Sequence, residues 1–351
     1  MVLNSKRARQ LNARSRAGLV SPRERLTFVV VSACAVVLGA CGGTSEVTTE
    51  STPDTTMKRP LVVVTHEVLG SIVREIAVDD VDVRVIIPNG KDPHDYEPSA
   101  QDIALLDAAD MVVANGEKFE PAFTKVLDRL VADGQSVFFA TEHVTLRDGD
   151  EHGEHSDDEA HDELGEHSDD EAHDGDKDVH GEHDPHFFTD PVTVGELIPA
   201  LAEALTASTG VSHGARPAIA ADAFAAADTA VREVFATLSS GSCKIVTGHD
   251  SLGYLADRYG CEIVGVVIPS LSGLAEATAQ DFADLAEAMK TEKVSAIFVD
   301  EGTSTRVSDR IAAETGARVV PLPSHSVPSS GRYRDYVTTV ARAITDGLTG
   351  S

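Results

Sequence analysis

Four histidines stand in short polar turns. They are His94 in Asn89–Pro98 (NGKDPHDYEP), His186 in Asp184-Pro185-His186-Phe187-Phe188, His249 in Thr247-Gly248-His249-Asp250 and His325 in Pro323-Ser324-His325-Ser326. Each sits just beyond, or close to, the end of a predicted element, two in each half of the folded region. Imidazole suits borderline divalent metals, and four imidazoles together meet the needs of a closed tetrahedral zinc site with no position kept for water. Asp95 and Glu97 can hold the His94 ring, and Asp250 can orient His249. Any one of the four taken alone reads more simply as a surface or capping histidine, and spacing does not prove that they converge. His66, after the predicted strand Leu61–Val64, is a fifth candidate, and Glu301 competes with it and His325 for the fourth position.

A second group of histidines is of a different kind. Nine of the 14 His lie between His143 and His186, and the ten residues GEHSDDEAHD occur twice, at 153–162 and 165–174. From Asp148 to Asp184 there are 18 acids against the single Lys177. No apolar residue recurs there at helix or strand spacing, so the segment predicts a disordered loop. His152, His155, His161, His167, His173, His180 and His183 would then collect or sense metal from a strongly negative field. Composition fits zinc, nickel or copper. The alternative is a solvated acidic insertion with incidental histidines.

Positioning the four single histidines falls to an alternation of short β-like and helical runs from Pro60 onward, the rhythm of an α/β fold with parallel sheets. Strands are expected at Leu61–Val64, Val81–Ile87, Met111–Ala114 and Ser136–Ala140, with helices at Leu69–Ala77, Ser99–Ala109 and Phe123–Leu130. Helical signals resume at Val192–Leu205 and in the long, Ala-rich run Pro217–Leu238. The second half expects strands Lys244–Thr247, Glu262–Ile268, Ala296–Val299 and Ala317–Pro321, with helices Ala279–Met289, Val307–Glu314 and Arg334–Ile344. Residues 60–190 thus form an N-terminal lobe containing the loop 148–183, 191–240 a helical segment with the joining helix 217–238, and 241–348 a C-terminal lobe. Two such lobes imply a cleft at the carboxyl ends of their strands, where folds of this kind bind ligands.

The amino terminus reads as a targeting signal. Seven Lys or Arg in residues 1–25 precede the apolar run Leu26–Ala40, and Leu38-Gly39-Ala40-Cys41 resembles the lipobox of bacterial lipoproteins. Residues 1–40 would be removed and Cys41 lipidated, with 41–59 a flexible tether. Cys34 is a rival cleavage position, and a permanent transmembrane anchor is the alternative to both. Without 1–40 the net charge is −35, which disfavours nucleic acid and anionic membranes as partners and draws in cations. Cys243 and Cys261 each open a predicted strand. If those strands are parallel neighbours the thiols share one sheet end and can pair, as an oxidising compartment permits, or they are buried separately.

These turns resemble those of the cluster A-I substrate-binding lipoproteins of bacterial ABC transporters for zinc and manganese, over roughly Pro60 to Leu348. Gly90–Pro98 matches the family's first-ligand turn through His94. Asp184–Pro191 matches the second through His186, with Phe188 where Trp is usual, and Thr247–Leu255 the third through His249. His325 falls where many relatives place an Asp ligand. Members resembling manganese receptors tend to carry Glu in place of His249, and a histidine-acid loop before Asp184 is characteristic of zinc-type members. The resemblance implies a rigid interlobe helix, a membrane permease and, through it, a cytoplasmic ATPase. The expectation is therefore an extracytoplasmic, lipid-anchored monomer that binds Zn2+ in the interlobe cleft and delivers it for uptake. A zinc buffer or adhesin without a transport role is the alternative. A manganese receptor or a zinc hydrolase ranks lower, and no H-E-x-x-H motif supports an enzyme.

Overall fold

An uninterrupted apolar run such as Leu61-Val62-Val63-Val64 suits a parallel strand covered on both faces, and in the computed structural model all of β1 (Leu61–His66) is buried. The structure describes residues 58–149, 183–271 and 277–350. The expected signal segment with Cys34 and Cys41, nearly all of the tether, and His152, His155, His161, His167, His173 and His180 lie outside the described residues.

In the N-terminal lobe β1 is followed by α1 (Glu67–Ile76), β2 (Asp82–Ile87), α2 (Ala100–Asp107), β3 (Met111–Ala114), α3 (Thr124–Ala132) and β4 (Val137–Phe139), and the strands form a parallel sheet in the order β2-β1-β3-β4. The chain then makes a short antiparallel hairpin, β5 (Arg147–Asp148) and β6 (His183–Asp184), with Arg147 opposite Asp184 and Asp148 opposite His183. The histidine-acid segment is inserted at its tip.

Three helices follow, α4 (Pro191–Glu196), α5 (Ile198–Thr209) and α6 (Arg216–Phe235), and lead into the second lobe. There β7 (Lys244–Thr247), α7 (Gly253–Tyr259), β8 (Glu262–Val266), α8 (Ala279–Glu292), β9 (Ala296–Asp300), α9 (Arg306–Thr315) and β10 (Arg318–Leu322) build a second parallel sheet, ordered β10-β9-β7-β8. Pro321, which has no N–H to give a ladder, is tolerated because β10 is an edge strand. Helix α10 (Tyr333–Thr349) closes the chain. Cys243 and Cys261, at the starts of the adjacent parallel strands β7 and β8, are joined in a disulfide.

Several expected elements change at their ends. The expected helix Val192–Leu205 is two, broken at Leu197, because Pro199 in the first turn of α5 cannot donate to the carbonyl four residues back. The joining helix stops at Phe235 and not at Leu238, running into a turn at Ala236 and Thr237. Strand β1 extends two residues further than its apolar run, to His66, which then caps α1 by accepting from the Leu69 N–H at 3.5 Å.

The long helix α6 presents Ala220, Phe224, Ala227, Val231 and Phe235 to the interior at helical spacing. Small residues there let it lie against α1, α4 and α10 at once. One buried cluster consequently runs from Val62 and Met111 in the first sheet through Ala227 to Ile245 and Phe298 in the second. Across the cleft, Asn89 donates from Nδ2 to the Val327 carbonyl at 2.8 Å and accepts from the Val327 N–H at 2.7 Å. The Gly90 N–H donates to the His325 carbonyl at 3.0 Å.

Candidate metal centre

Two of the histidine turns share one local device. In Asp92-Pro93-His94 and in Asp184-Pro185-His186, the aspartate Oδ1 accepts the backbone N–H of the histidine two residues on, in each case at 2.9 Å. This Asx turn fixes the backbone before the imidazole, and β2 and β6 deliver the two turns to the cleft. His249 arrives at the end of β7, and His325 just beyond β10. All four histidines are at least 96% buried.

His94, His186 and His249 converge, each offering a ring nitrogen within 4.8 Å of the others. The Nε2 atoms of His94 and His186 are 3.4 Å apart. A tetrahedral zinc with Zn–N near ~2.05 Å has ligand nitrogens roughly 3.3 Å apart, so this pair already stands at ligand spacing. His186 Nδ1 lies 2.8 Å from Asp184 Oδ1, and His249 Nδ1 lies 2.8 Å from Asp300 Oδ2. A carboxylate can only accept, so both Nδ1 atoms carry the proton and both Nε2 atoms keep a lone pair for a cation. Asp300 is itself held by a hydrogen bond from the Ser324 hydroxyl.

His325 enters the same chamber, with its ring centroid 6.3 Å from that of His94 and its Nε2 4.0 Å from Asp92 Oδ1. Its nitrogens lie outside the three-histidine cluster. Neither has a hydrogen-bond partner among the described residues, a costly state for a buried imidazole that a cation would relieve. The Phe119 ring stands 4.7 Å from the His94 centroid and 5.4 Å from that of His186, closing the floor of the chamber. A cavity of about 140 Å³ lined by Asp92, Asp95, Thr303 and Ser304 reaches His249.

The field in the chamber is uneven. Burial lowers the His249 pKa, but the charge of Asp300 and its hydrogen bond outweigh this and the net shift is upward. Burial acts to raise the Asp300 pKa, and its contacts with His249 hold it well below the usual carboxylate range. Burial lowers the His325 pKa to about 4, opposed by Asp300 and assisted by the neighbouring histidines. Asp92 moves upward, chiefly through burial.

His66 is buried next to the cluster but is otherwise engaged. Its Nδ1 accepts from Leu69, its Nε2 is 3.3 Å from Asn115 Oδ1, and Asn115 in turn donates to the Pro185 carbonyl at 3.0 Å. It braces the His186 turn from behind, and burial lowers its pKa to about 3. His183 lies on the hairpin with Nδ1 3.3 Å from Asp148 Oδ1, away from the cluster. Glu301 accepts from the Ser326 hydroxyl at 2.9 Å. Two acids other than the expected ones take part: Asp92 sets the backbone of the His94 turn, and Asp300, not the adjoining Asp250, pairs with His249 Nδ1. The recurring Asp-Pro-His triplet could have revealed Asp92 and Asp184. No local signal links Asp300, on a different strand, to His249.

The family model described as zinc-uptake complex component A, periplasmic (ZnuA) matches residues 62–347. The chain belongs to this family. Among relatives of the ZnuA family, the High-affinity zinc uptake system protein ZnuA of Bacillus subtilis is 29% identical over 295 residues, covering 84% of this chain and 86% of its own length. The Zinc-binding lipoprotein AdcA of Streptococcus pneumoniae serotype 4 is 26% identical over 325 residues, 91% of this chain but only 59% of the relative's length. The periplasmic zinc-binding protein TroA of Treponema pallidum shares the fold, with a TM-score of 0.66, 22% identity, and 83% of this chain and 99% of its own covered. Two parallel-sheet α/β lobes are thus the fold of the ZnuA family here.

Proposed function

We propose that this chain is an extracytoplasmic receptor that takes Zn2+ on His94, His186 and His249, with His325 as fourth ligand, and hands it to an ABC permease driven by a cytoplasmic ATPase. The observation that carries this reading is the convergence of three buried imidazoles, two of them aimed by carboxylates. The names of the ZnuA and AdcA relatives point the same way. Four neutral nitrogens suit zinc better than manganese, which prefers harder oxygen ligands and higher coordination. They leave the ion's charge to be balanced one bond further out, by Asp184 and Asp300. His325 needs a side-chain rotation to reach the ion, and its unpaired nitrogens make that rotation favourable. A fully nitrogen-ligated ion has no open position for water, which argues against hydrolysis. Cys41 would carry the lipid anchor, and the protein would act as a monomer.

Zinc titration against a competing chelator tests the site. His186→Ala should abolish the tight equivalent, and His325→Ala should weaken it by about one to two orders of magnitude, ~1.4–2.8 kcal/mol. Tight binding that survives in both His186→Ala and His249→Ala would sink the receptor reading.

A further inference from the structure

Helix α7 begins four residues after His249 and carries Tyr254, Asp257 and Arg258 on one face, at the i, i+3, i+4 spacing that makes helix residues neighbours. All three reach across to the N-terminal lobe. The Tyr254 hydroxyl accepts the Arg147 N–H and donates to the Asp184 carbonyl, each at 2.9 Å, so one phenol is seated on both strands of the β5–β6 hairpin. Arg258 Nε donates to Asp190 Oδ2 at 2.9 Å, on the residue that caps α4. The Arg147 side chain crosses in the opposite direction. Its Nε donates to Asp257 Oδ2 at 3.0 Å, while Nη1 lies 3.8 Å from Oδ2 of Asp184, whose other oxygen holds His186.

The guanidinium fits there because the first residue of α7 is glycine. A Cβ on Gly253 would fall 2.5 Å from Arg147 Nη1, 2.6 Å from Cζ and 2.8 Å from Nε. The φ of Gly253 does not itself demand glycine, so the missing side chain reads as room for the arginine. The contacts line a seam cavity of about 470 Å³ bounded by Arg147, Asp190, Tyr254, Asp257 and Arg258.

We infer that Arg147 is a positioning residue for metal binding. Seated on Gly253 and aided by Tyr254, it locks α7 to Asp184, so that His249 on one lobe and His186 on the other are set together. The inference rests on the zinc site proposed above. Sliding α7 along the seam moves the support of His249 and the carboxylate behind His186 in one step, which gives a route for releasing the ion without opening the whole cleft.

Gly253→Ala tests this without touching any charge. Alanine is the better helix former, so the zinc-free melting temperature should hold or rise, while the added methyl displaces the guanidinium. In the full chain, zinc loss to a fluorescent chelator should accelerate about tenfold, the lower end of what disturbing a ligand's support costs. The d–d spectrum of the Co2+-loaded protein should shift with it. Arg147→Ala should do the same, and adding Gly253→Ala to it should change little further, since both act on one contact. Dissociation within about twofold of wild type in either single variant, or effects that simply multiply, overturns the latch. A wild-type chain with no tight zinc equivalent overturns the receptor reading as well, which separates the two failures.

Discussion

At the scale of single residues, the proposed zinc site puts weight on carboxylates that stand behind its ligands. Asp300 accepts from His249 Nδ1 and is pinned by Ser324. Asparagine there can turn its NH2 toward the ring and favour the wrong tautomer. Asp300→Asn should therefore weaken zinc by about 10–100-fold, whereas Asp250→Asn, beside His249 in sequence but not its orienting partner, should cost far less. Chelator competition on both variants checks this, and equal losses would restore Asp250 to the role that adjacency suggests. A second residue gives a pH effect. Glu120 is 3% exposed, and burial, partly offset by the hydrogen bond from the Asn115 N–H at 2.9 Å, raises its pKa from 4.5 to about 7. Its neutral form is favoured in the folded state. The stability tied to it is full below pH 4.5 and lost as pH rises through about 7, by something on the order of 3 kcal/mol. Glu120→Gln should flatten that dependence and stabilise the zinc-free chain at pH 8 relative to wild type, as urea midpoints at pH 5 and 8 would show. An unchanged slope would remove Glu120 as its source. The four chamber histidines were legible in the sequence because each sits in a turn with its own chemistry. The partner of His249 was not, since Asp300 comes from another strand.

At the scale of elements, legibility followed packing. Strands such as Met111–Ala114, buried throughout, and Lys244–Thr247, buried from Ile245 on, matched their expected bounds to the residue. The β5–β6 hairpin has two residues per strand and no hydrophobic signal, so nothing in its composition announced it, yet it carries His186 into the cleft. Its pairing has a consequence for the histidine-acid insertion. Asp148 and His183 are directly opposed, and directly opposed antiparallel residues lie only ~4.5–5.5 Å apart at Cα, a gap that a two-residue turn closes. Replacing residues 149–182 by Asn-Gly, the pair favoured in such turns, should leave the hairpin and the single tight zinc equivalent in place while removing weaker equivalents. Calorimetric titration decides it, and loss of the tight equivalent would show that the insertion supplies an essential ligand.

At the scale of the whole molecule, the cleft is already tied shut by groups other than the metal. Asn89 makes two hydrogen bonds to Val327, the Gly90 N–H bonds to His325, and the buried Tyr333 hydroxyl donates to the Phe188 carbonyl at 2.9 Å. Behind these, one apolar cluster runs through α6 into both sheets. Lobes that share a core cannot swing apart without exposing it, so zinc should be gained and lost by local movement of ligand turns. Two measurements follow from that. Small-angle scattering of the hairpin-shortened protein should give radii of gyration for zinc-free and zinc-loaded forms that agree within about 1 Å, against a compact size near ~19 Å for a body of this length. Scanning calorimetry should show one unfolding transition in both states. Zinc at a thousandfold excess over its dissociation constant should raise stability by about 4 kcal/mol, shifting the whole transition upward by roughly 6 °C. In the proposed site both lobes contribute ligands to the ion, so a shared core must carry the stabilisation through the whole molecule at once. Two separate transitions in the zinc-free protein, fusing only when zinc is added, would mean that the metal joins the lobes and that α6 does not.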